Sequence, residues 1–133
     1  MENKNIIISI HPCYIEKIFS GEKTYEYRKK VPSNLNKIIV YATSPIKKIV
    51  AVIDVEQVIS DKPDIVWQKT KKQSGISKEF FSSYFKCNKI AYAIKLKNIH
   101  KLNNPQPLSV LNIKNSPQSY IYIGDSIENL YDK

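Results

Sequence analysis

The chain has few cysteines, few glycines and no long apolar run. Its two cysteines, Cys13 and Cys87, lie far apart and belong to no CxxC motif or Cys/His cluster. We therefore expect reduced thiols and no metal site, with a single disulfide as the less favoured alternative. The three isolated glycines exclude a glycine-rich phosphate loop. No segment approaches the ~20 apolar residues of a membrane span or resembles a signal peptide, which predicts a cytoplasmic protein.

Positive charge clearly exceeds negative charge. Lys and Arg number 21 against 12 Asp and Glu, which gives a formal charge of +9 at pH 7. Such an excess attracts polyanions, and nucleic acid is the commonest polyanion in a cell. Nearly all of these cations are lysines, however, so a lysine-rich genome that places lysine on every solvated surface explains the charge equally well. Charge alone does not decide between the two explanations.

The length of the chain and its lack of a linker predict one domain, over residues 1–123, followed by a loose C-terminal tail over residues 124–133. Proline, serine and glycine signals predict helices that begin at Pro12, Pro63 and after Ser77. The first helix is predicted to end at Ser20 and Gly21, and the helical region that begins at Pro63 is predicted to end at Gly75. In the last of these helices, four aromatic residues are predicted to form one buried stripe: Phe80, Phe81, Tyr84 and Phe85.

Apolar runs and alternating patterns predict the strands. They are expected over residues 5–10, 24–29, 37–43, 49–59, 89–97 and 119–123. Residues 103–107 (NNPQP) are predicted to form a turn. Five or six strands with helices between them, and few βαβ alternations, indicate an α+β fold. We expect a small mixed or antiparallel β-barrel with flanking helices.

The segment Gly21–Arg28 is the strongest candidate for a site. In a strand over residues 24–28, Glu26 and Arg28 share one face about 7 Å apart, close enough to pair or to hold a ligand. Lys23 can reach over that face from the preceding turn. Arginine offers a planar fork for a phosphate or a base edge, whereas lysine is a charge whose pKa is tunable. The alternative is a solvated sheet face with a surface ion pair worth about 0–1 kcal/mol.

Two motifs in this region resemble the hallmark segment of the ASCH domain family, small relatives of the PUA RNA-binding fold. They are S-I-H-P-x-Y at residues 9–14 and I-x-S-G-x-K-T-x-E-x-R at residues 18–28. Later segments resemble the family in the same order, so that the resemblance extends over residues 8–123. These segments are residues 41–45, 49–59, 74–77 with 84–85, 105–108 and 117–120. The chain is identified as a small prokaryotic or phage-type member of this family.

The resemblance implies a PUA-like barrel with a cleft whose floor carries Lys23, Glu26 and Arg28. Family members are regarded as RNA-binding or RNA-related, and some relatives cleave RNA or act as amidohydrolases on an acylated modified cytidine. The amidohydrolases use a threonine where Glu26 stands and a glutamate near the position of Gln73 or Ser74. This chain departs from that pattern at both places, which disfavours amidohydrolysis.

Several further residues are candidates for ligand contacts. Tyr41 and Tyr92 could stack a base at the cleft mouth, although core packing is the commoner role for such residues. Ser119 and Tyr120 lie in the family-like closing segment, from which one of them can reach the cleft. If RNA binds, the natural phosphate contacts are Lys47 and Lys48, together with the cluster Lys69, Lys71 and Lys72.

The sequence therefore favours a non-catalytic module that binds RNA or a modified nucleotide through Lys23, Glu26 and Arg28, with no cofactor and no metal. The first alternative is a hydrolase, either a ribonuclease or an amidohydrolase on a modified nucleoside. In that case Lys23 and Glu26 are the expected catalytic residues, because a lysine beside a carboxylate can acquire a shifted pKa. A protein-interaction or regulatory module is the second alternative.

Overall fold

The computed structural model describes residues 3–124 and 127–133. Within these ranges, helix α1 follows the first strand, three strands come next in succession, and two further α-helices precede the last two strands. The strands are β1 (Lys4–Ile10), β2 (Tyr25–Arg28), β3 (Leu35–Ala42), β4 (Lys48–Asp61), β5 (Ala91–Gln106) and β6 (Ile121–Ile123). The α-helices are α1 (Pro12–Ser20), α2 (Pro63–Thr70) and α3 (Lys78–Tyr84). Short 3-10 helices cover Lys71–Gln73, Leu108–Leu111 and Glu128–Asp132.

The strands form one six-stranded mixed sheet in the order β2-β5-β4-β3-β1-β6. β1 runs parallel to β3, and the other neighbouring pairs are antiparallel. The predicted α+β class is confirmed. In the described part of the chain no strand pairing joins the end strands β2 and β6, so the closed barrel stays a prediction. β2, which carries the candidate site, lies at one end of this sheet.

Both faces of the central strands are buried, which explains why β1 is a nearly continuous run of isoleucine. Ile6, Ile8 and Ile10 pack with Ile15 of helix α1 on one face. Ile7 packs into a second cluster on the other face. Because successive side chains of a strand point to opposite sides, a strand covered on both sides needs apolar residues at every position. No helix within the described residues has the length and apolar character to cross a membrane.

Helix α1 begins and ends where the sequence predicted. Pro12 occupies its first turn, and the His11 ring accepts a hydrogen bond from the Cys13 amide at 3.1 Å. At the other end, Gly21 adopts a φ of 87° and donates its amide to the Ile18 carbonyl. This left-handed turn ends α1 and leads the chain into residues 21–24, which connect α1 to β2.

Helix α3 has two aromatic faces instead of the single buried stripe that was predicted. The Ser77 side chain caps the helix by accepting a hydrogen bond from the Phe80 amide. Phe81 and Phe85 are buried, whereas Phe80 is 48% exposed and Tyr84 is half-buried. Residues four apart share a helix face, so the pair 80 and 84 lies on a different face from the pair 81 and 85. The predicted burial of Phe80 is therefore wrong.

The predicted turn over residues 103–107 is also wrong, because β5 continues through most of this segment. Lys101 pairs with Ala51 and Gln106 with Ile49, and the register of the β4–β5 ladder shifts between these pairs. A proline lacks the amide donor of a regular ladder but is tolerated at such an irregularity. Pairing along the length of β4 thus overrides the local turn signal.

Part of the segment that was predicted to be a loose tail packs against the sheet. In its described part, residues 127–133, Ile127 and Leu130 are buried against the sheet face that carries Ile7. Their burial removes apolar surface from water, which explains why a short 3-10 helix forms there. The division of the chain into a domain over residues 1–123 and a tail over residues 124–133 stays a prediction.

Candidate functional site

The candidate segment lies at a cleft of about 200 Å³. The end of β1, helix α1, strand β2, the loop before α3 and helix α3 all contribute to its walls. Its lining residues are Ser9, Ile10, His11, Tyr14, Lys23, Glu26, Tyr27, Arg28, Ile76, Phe80 and Tyr84.

Lys23, Glu26 and Arg28 form a buried charged cluster in this cleft. The Arg28 Nη2 and Nε atoms lie 2.8 and 3.1 Å from Glu26 Oε2, and Lys23 Nζ lies 3.8 Å from Glu26 Oε1. Arg28 Nη2 also donates to the Ser9 carbonyl at 2.8 Å, which ties β2 to the end of β1. The two oxygens of one carboxylate are thus divided between two cations. The side chains of Lys23 and Glu26 are 2% and 9% exposed, so this is no solvated surface pair.

The Lys23 amine is enclosed by a carbonyl and two aromatic rings. Its Nζ donates to the Ser74 carbonyl at 2.7 Å and lies 4.9 Å from the ring centre of Tyr27 and 5.9 Å from that of Tyr14. Burial lowers the pKa of Lys23 below its usual value; Glu26 opposes this effect, and the nearby cations Arg28 and Lys17 add to it. The Lys23 amine is therefore deprotonated to its neutral form more easily than the amine of a solvated lysine.

A glycine allows the loop before α3 to lie directly on the Lys23 side chain. Gly75 has a φ of 68°, and a Cβ atom added to it would lie 2.5 Å from Lys23 Cβ and 2.8 Å from Lys23 Cγ. Its carbonyl accepts a hydrogen bond from Lys17 Nζ at 3.0 Å. Both the backbone conformation and the close approach require glycine at this position. The sequence identified Gly75 only as a helix-ending residue and did not predict this contact.

Tyr27 connects the cleft with the core. Its hydroxyl is 2.7 Å from Thr70 Oγ1, and its ring meets the Phe81 ring edge-on, with the ring centres 5.1 Å apart. Burial raises the pKa of Tyr27 to about 12. The Tyr27 hydroxyl is therefore uncharged at neutral pH, and Tyr27 contributes a neutral side chain to the cleft wall.

Aromatic side chains surround the cleft, and the sequence did not predict most of them as site residues. The rings of Phe80 and Tyr84 are nearly parallel, with an interplanar angle of 14° and centres 6.5 Å apart. Tyr14 lies 5.8 Å from Phe80 and 6.2 Å from His11 between ring centres. The half-exposed Phe80 ring leaves a flat apolar surface at the mouth of the cleft.

The two tyrosines predicted to stack a base lie elsewhere. Tyr41 is buried with Ile7 and Ile39 in the cluster on the opposite side of the sheet. Tyr92 pairs with Arg28 in the ladder between β2 and β5 and does not line the cleft. Their roles in binding stay predictions that these positions do not favour.

The predicted lysine contacts lie outside the cleft lining. Lys47 and Lys48 are exposed, Lys47 in the turn between β3 and β4 and Lys48 at the start of β4. The amide of Thr43, at the start of that turn, donates to the Ile10 carbonyl, so the turn adjoins the end of β1. Lys69 and Lys72 line a separate groove beside α2. No group of three or more His, Cys, Asp or Glu side chains in the described residues could hold a metal ion.

The closing segment contributes to a neighbouring groove rather than to the cleft itself. Ser119 lines that groove together with Arg28 and Tyr84. Tyr120 packs against the core, and its ring meets Tyr122 edge-on with the ring centres 5.4 Å apart. Of the predicted site residues, Lys23, Glu26 and Arg28 thus come together in the cleft, and Ser119 lies beside it.

These features define a small α+β domain with a mixed sheet and a buried Lys–Glu–Arg cluster in a cleft with an aromatic mouth. The chain belongs to the ASCH domain family, whose family model matches residues 8–100. The matched range contains the end of β1, strands β2 to β4, helices α1 to α3 and most of β5. It includes all the lining residues of the cleft.

Solved and curated relatives agree with this assignment. The crystal structure of ASCH from Zymomonas mobilis has a TM-score of 0.82 and 25% identity, with coverage of 93% of this chain and 90% of that chain. An ASCH domain-containing ribonuclease of the same species is 25% identical over 114 residues, which are 84% of this chain and 73% of that protein.

Two other similar proteins come from Ureaplasma parvum. The large ribosomal subunit protein uL22 is 34% identical over 90% of this chain, and an ATP synthase subunit alpha is 28% identical over 92% of it. The chain spans only 39% and 16% of these two proteins. The similar segment is therefore a part of much longer chains there.

Proposed function

We propose that this chain binds RNA, or a nucleotide derived from it, in the cleft that contains Lys23, Glu26 and Arg28. The observation that carries the proposal is a buried carboxylate–guanidinium pair at 2.8 Å beside a cleft with exposed aromatic surface. The ribonuclease relative and the charge of +9 support the same ligand class. The PUA-like barrel, the cytoplasmic location and the boundary at residue 123 belong to this proposal and rest on the resemblance and the composition.

The size and lining of the cleft favour a single base or nucleoside at a time. Its volume of about 200 Å³ is below the ~300–1,000 Å³ of pockets for drug-sized ligands. Single-stranded RNA is commonly bound by stacking unpaired bases on aromatic rings, a role that Phe80 and Tyr84 suit. Glu26 can accept from a base amino group, and Arg28 can donate to a base edge or a phosphate. Because the two side chains are already paired, their orientation is set before a ligand arrives.

Binding of a fluorescent single-stranded RNA, measured by anisotropy at several salt concentrations, tests the proposal. The logarithm of affinity should fall with the logarithm of salt concentration, with a slope of about −0.7 per phosphate neutralised. Arg28→Lys keeps the charge but loses the planar fork, so we expect at least ~10-fold weaker binding with an unchanged salt slope. Absence of binding at low salt, or an unchanged affinity of the variant, would contradict the proposal.

RNA hydrolysis is a second candidate, because the Lys23 amine is buried beside Glu26 and its pKa is lowered. A lysine whose pKa moves towards neutrality can act as a general base or donate to a developing oxyanion. Amidohydrolysis is less favoured, since Glu26 carries no hydroxyl and the Ser74 hydroxyl donates to the Ile76 carbonyl at 3.0 Å.

Gel analysis of single-stranded RNA incubated with the wild type and with Lys23→Met tests this second candidate. The methionine fills a similar volume without an amine, so we expect turnover to disappear while the fold is retained. Lys37→Met, which removes a lysine outside the cleft, is the matched control and should cleave as the wild type does. Cleavage by Lys23→Met, or none by the wild type, would exclude the assignment.

A further inference from the structure

A second groove adjoins the cleft across a shared wall. It has a volume of about 390 Å³ and is lined by Arg28, Lys29, Lys30, Tyr84, Gln118 and Ser119. Arg28 and Tyr84 line both cavities. A ligand that extends out of the cleft over these two side chains therefore enters the second groove directly.

The second groove is strongly cationic and has no carboxylate in its lining. Arg28, Lys29 and Lys30 are consecutive, and the two lysines are exposed. Neither lysine forms an ion pair with a carboxylate of the described residues. Lys29 Nζ lies 4.7 Å from the ring centre of Tyr84, so its charge lies over the shared wall. Exposed cations that no carboxylate neutralises suit a phosphate.

We propose that the second groove binds the phosphate and the next nucleotide of an RNA strand whose base occupies the cleft. The chain then holds two successive nucleotides, one on each side of Arg28 and Tyr84. This inference rests on the proposed function and adds a direction to it: the strand leaves the cleft towards Lys29 and Lys30. Gln118 and Ser119 line the same groove and offer hydrogen bonds to the second nucleotide.

Two other lysine groups provide a direct comparison. Lys47 and Lys48 are exposed where the turn after β3 leads into β4, and Lys69 and Lys72 line the groove beside α2. The groove beside α2 shares no lining residue with the cleft. Removal of either pair changes the net charge by the same amount as removal of Lys29 and Lys30, so a general electrostatic effect is separated from a local one.

The experiment compares three double variants, Lys29→Ala/Lys30→Ala, Lys47→Ala/Lys48→Ala and Lys69→Ala/Lys72→Ala. The probes are a nucleoside, the corresponding dinucleotide and a short single-stranded RNA. We expect the first variant to bind the dinucleotide about 10-fold more weakly and the nucleoside as the wild type does. Its salt slope should become shallower by about 0.7 for each phosphate that the variant no longer neutralises. The other two variants should keep wild-type affinity for the dinucleotide.

The outcomes separate this inference from the function on which it rests. If the wild type binds none of the three probes, the proposed function fails. If the wild type binds them and the Lys29/Lys30 variant loses no dinucleotide affinity, the second groove is not the path of the strand, although the cleft still binds RNA. A selective loss in the Lys47/Lys48 variant would overturn the inference by placing the strand towards the start of β4 instead of towards Lys29 and Lys30.

Discussion

In two lysine–carboxylate pairs of this protein, the pKa of the lysine is shifted in opposite directions. In the cleft, Lys23 and Glu26 lie 3.8 Å apart with side chains only 2% and 9% exposed. Lys37 of β3 and Asp54 of β4 lie opposite each other in the sheet and form a closer pair, with side chains 27% and 26% exposed. Burial lowers the pKa of Lys23, whereas the hydrogen bond to Asp54 raises the pKa of Lys37.

The difference follows from what each lysine loses and gains. Lys37 keeps part of its hydration and has its own carboxylate. Lys23 loses its hydration and shares Glu26 with Arg28, so that its partner does not compensate fully for desolvation. A buried charge whose desolvation is not fully compensated is typical of a functional site rather than of a stabilising interaction. The Lys37 pair, in contrast, is an ordinary ion pair.

The largest difference between the two pairs should appear when each carboxylate is removed. Glu26→Gln leaves two buried cations without their shared anion, and we expect a loss of about 3–5 kcal/mol in the free energy of unfolding. Asp54→Asn leaves a partly solvated lysine, for which we expect about 0–1 kcal/mol. Urea unfolding of both variants measures the difference. Equal losses would show that burial of the cleft cluster has no energetic weight.

The enclosure of Lys23 is tested by two glycines with the same backbone requirement. Gly21 and Gly75 both have positive φ, but a Cβ at Gly21 meets nothing within 4 Å, whereas one at Gly75 meets the Lys23 side chain at 2.5 Å. Alanine should therefore cost about 1–2 kcal/mol at Gly21 and a further ~1–3 kcal/mol at Gly75. We also expect weaker RNA binding in Gly75→Ala alone. Identical stability and binding in the two variants would disprove the tight packing on Lys23.

The smallest and most specific effect is the sign of the pH dependence. The folded-state pKa of Lys23 lies below 10.5, so the unfolded chain binds the proton more tightly and stability from this group rises as pH increases towards 10.5. The folded-state pKa of Lys37 lies above 10.5, so its stabilisation is present below that pH and is lost as pH rises through the folded-state pKa.

Urea unfolding across alkaline pH, for the wild type, Lys23→Met and Lys37→Met, measures both signs. The difference between wild type and Lys23→Met should become more favourable to the wild type as pH rises. The difference between wild type and Lys37→Met should change in the other direction. Curves with the same sign for both lysines would contradict the contrast between the two pairs.

The parts of the fold that depend on local chemistry could be predicted from the sequence. Pro12 and Gly21 mark the ends of α1, and Ser77 marks the start of α3, because capping acts within one turn. The alternation of β2 likewise predicted that Glu26 and Arg28 share a face. The same reasoning failed at residues 103–107, where pairing with β4 outweighs the turn preference.

The surroundings of the cluster could not be predicted, because they come from distant parts of the chain. The carbonyl that binds Lys23 Nζ belongs to Ser74, 51 residues further along. Which aromatic pair of α3 faces the cleft depends on how the helix docks, and helical spacing alone fits either pair. Local sequence thus predicted the charged residues of the site, while the aromatic mouth and the glycine contact required the tertiary structure.

Helix α3 also links the cleft to the stability of the whole domain. Phe81 anchors it in the core beside Tyr27, while Phe80 and Tyr84 form the cleft wall from the same short stretch of backbone. A ligand stacked on this wall binds only the docked helix, so ligand binding should slow hydrogen exchange at the Phe85 amide, which donates to the Phe81 carbonyl. By the same linkage, a core substitution that never touches the ligand will weaken its binding.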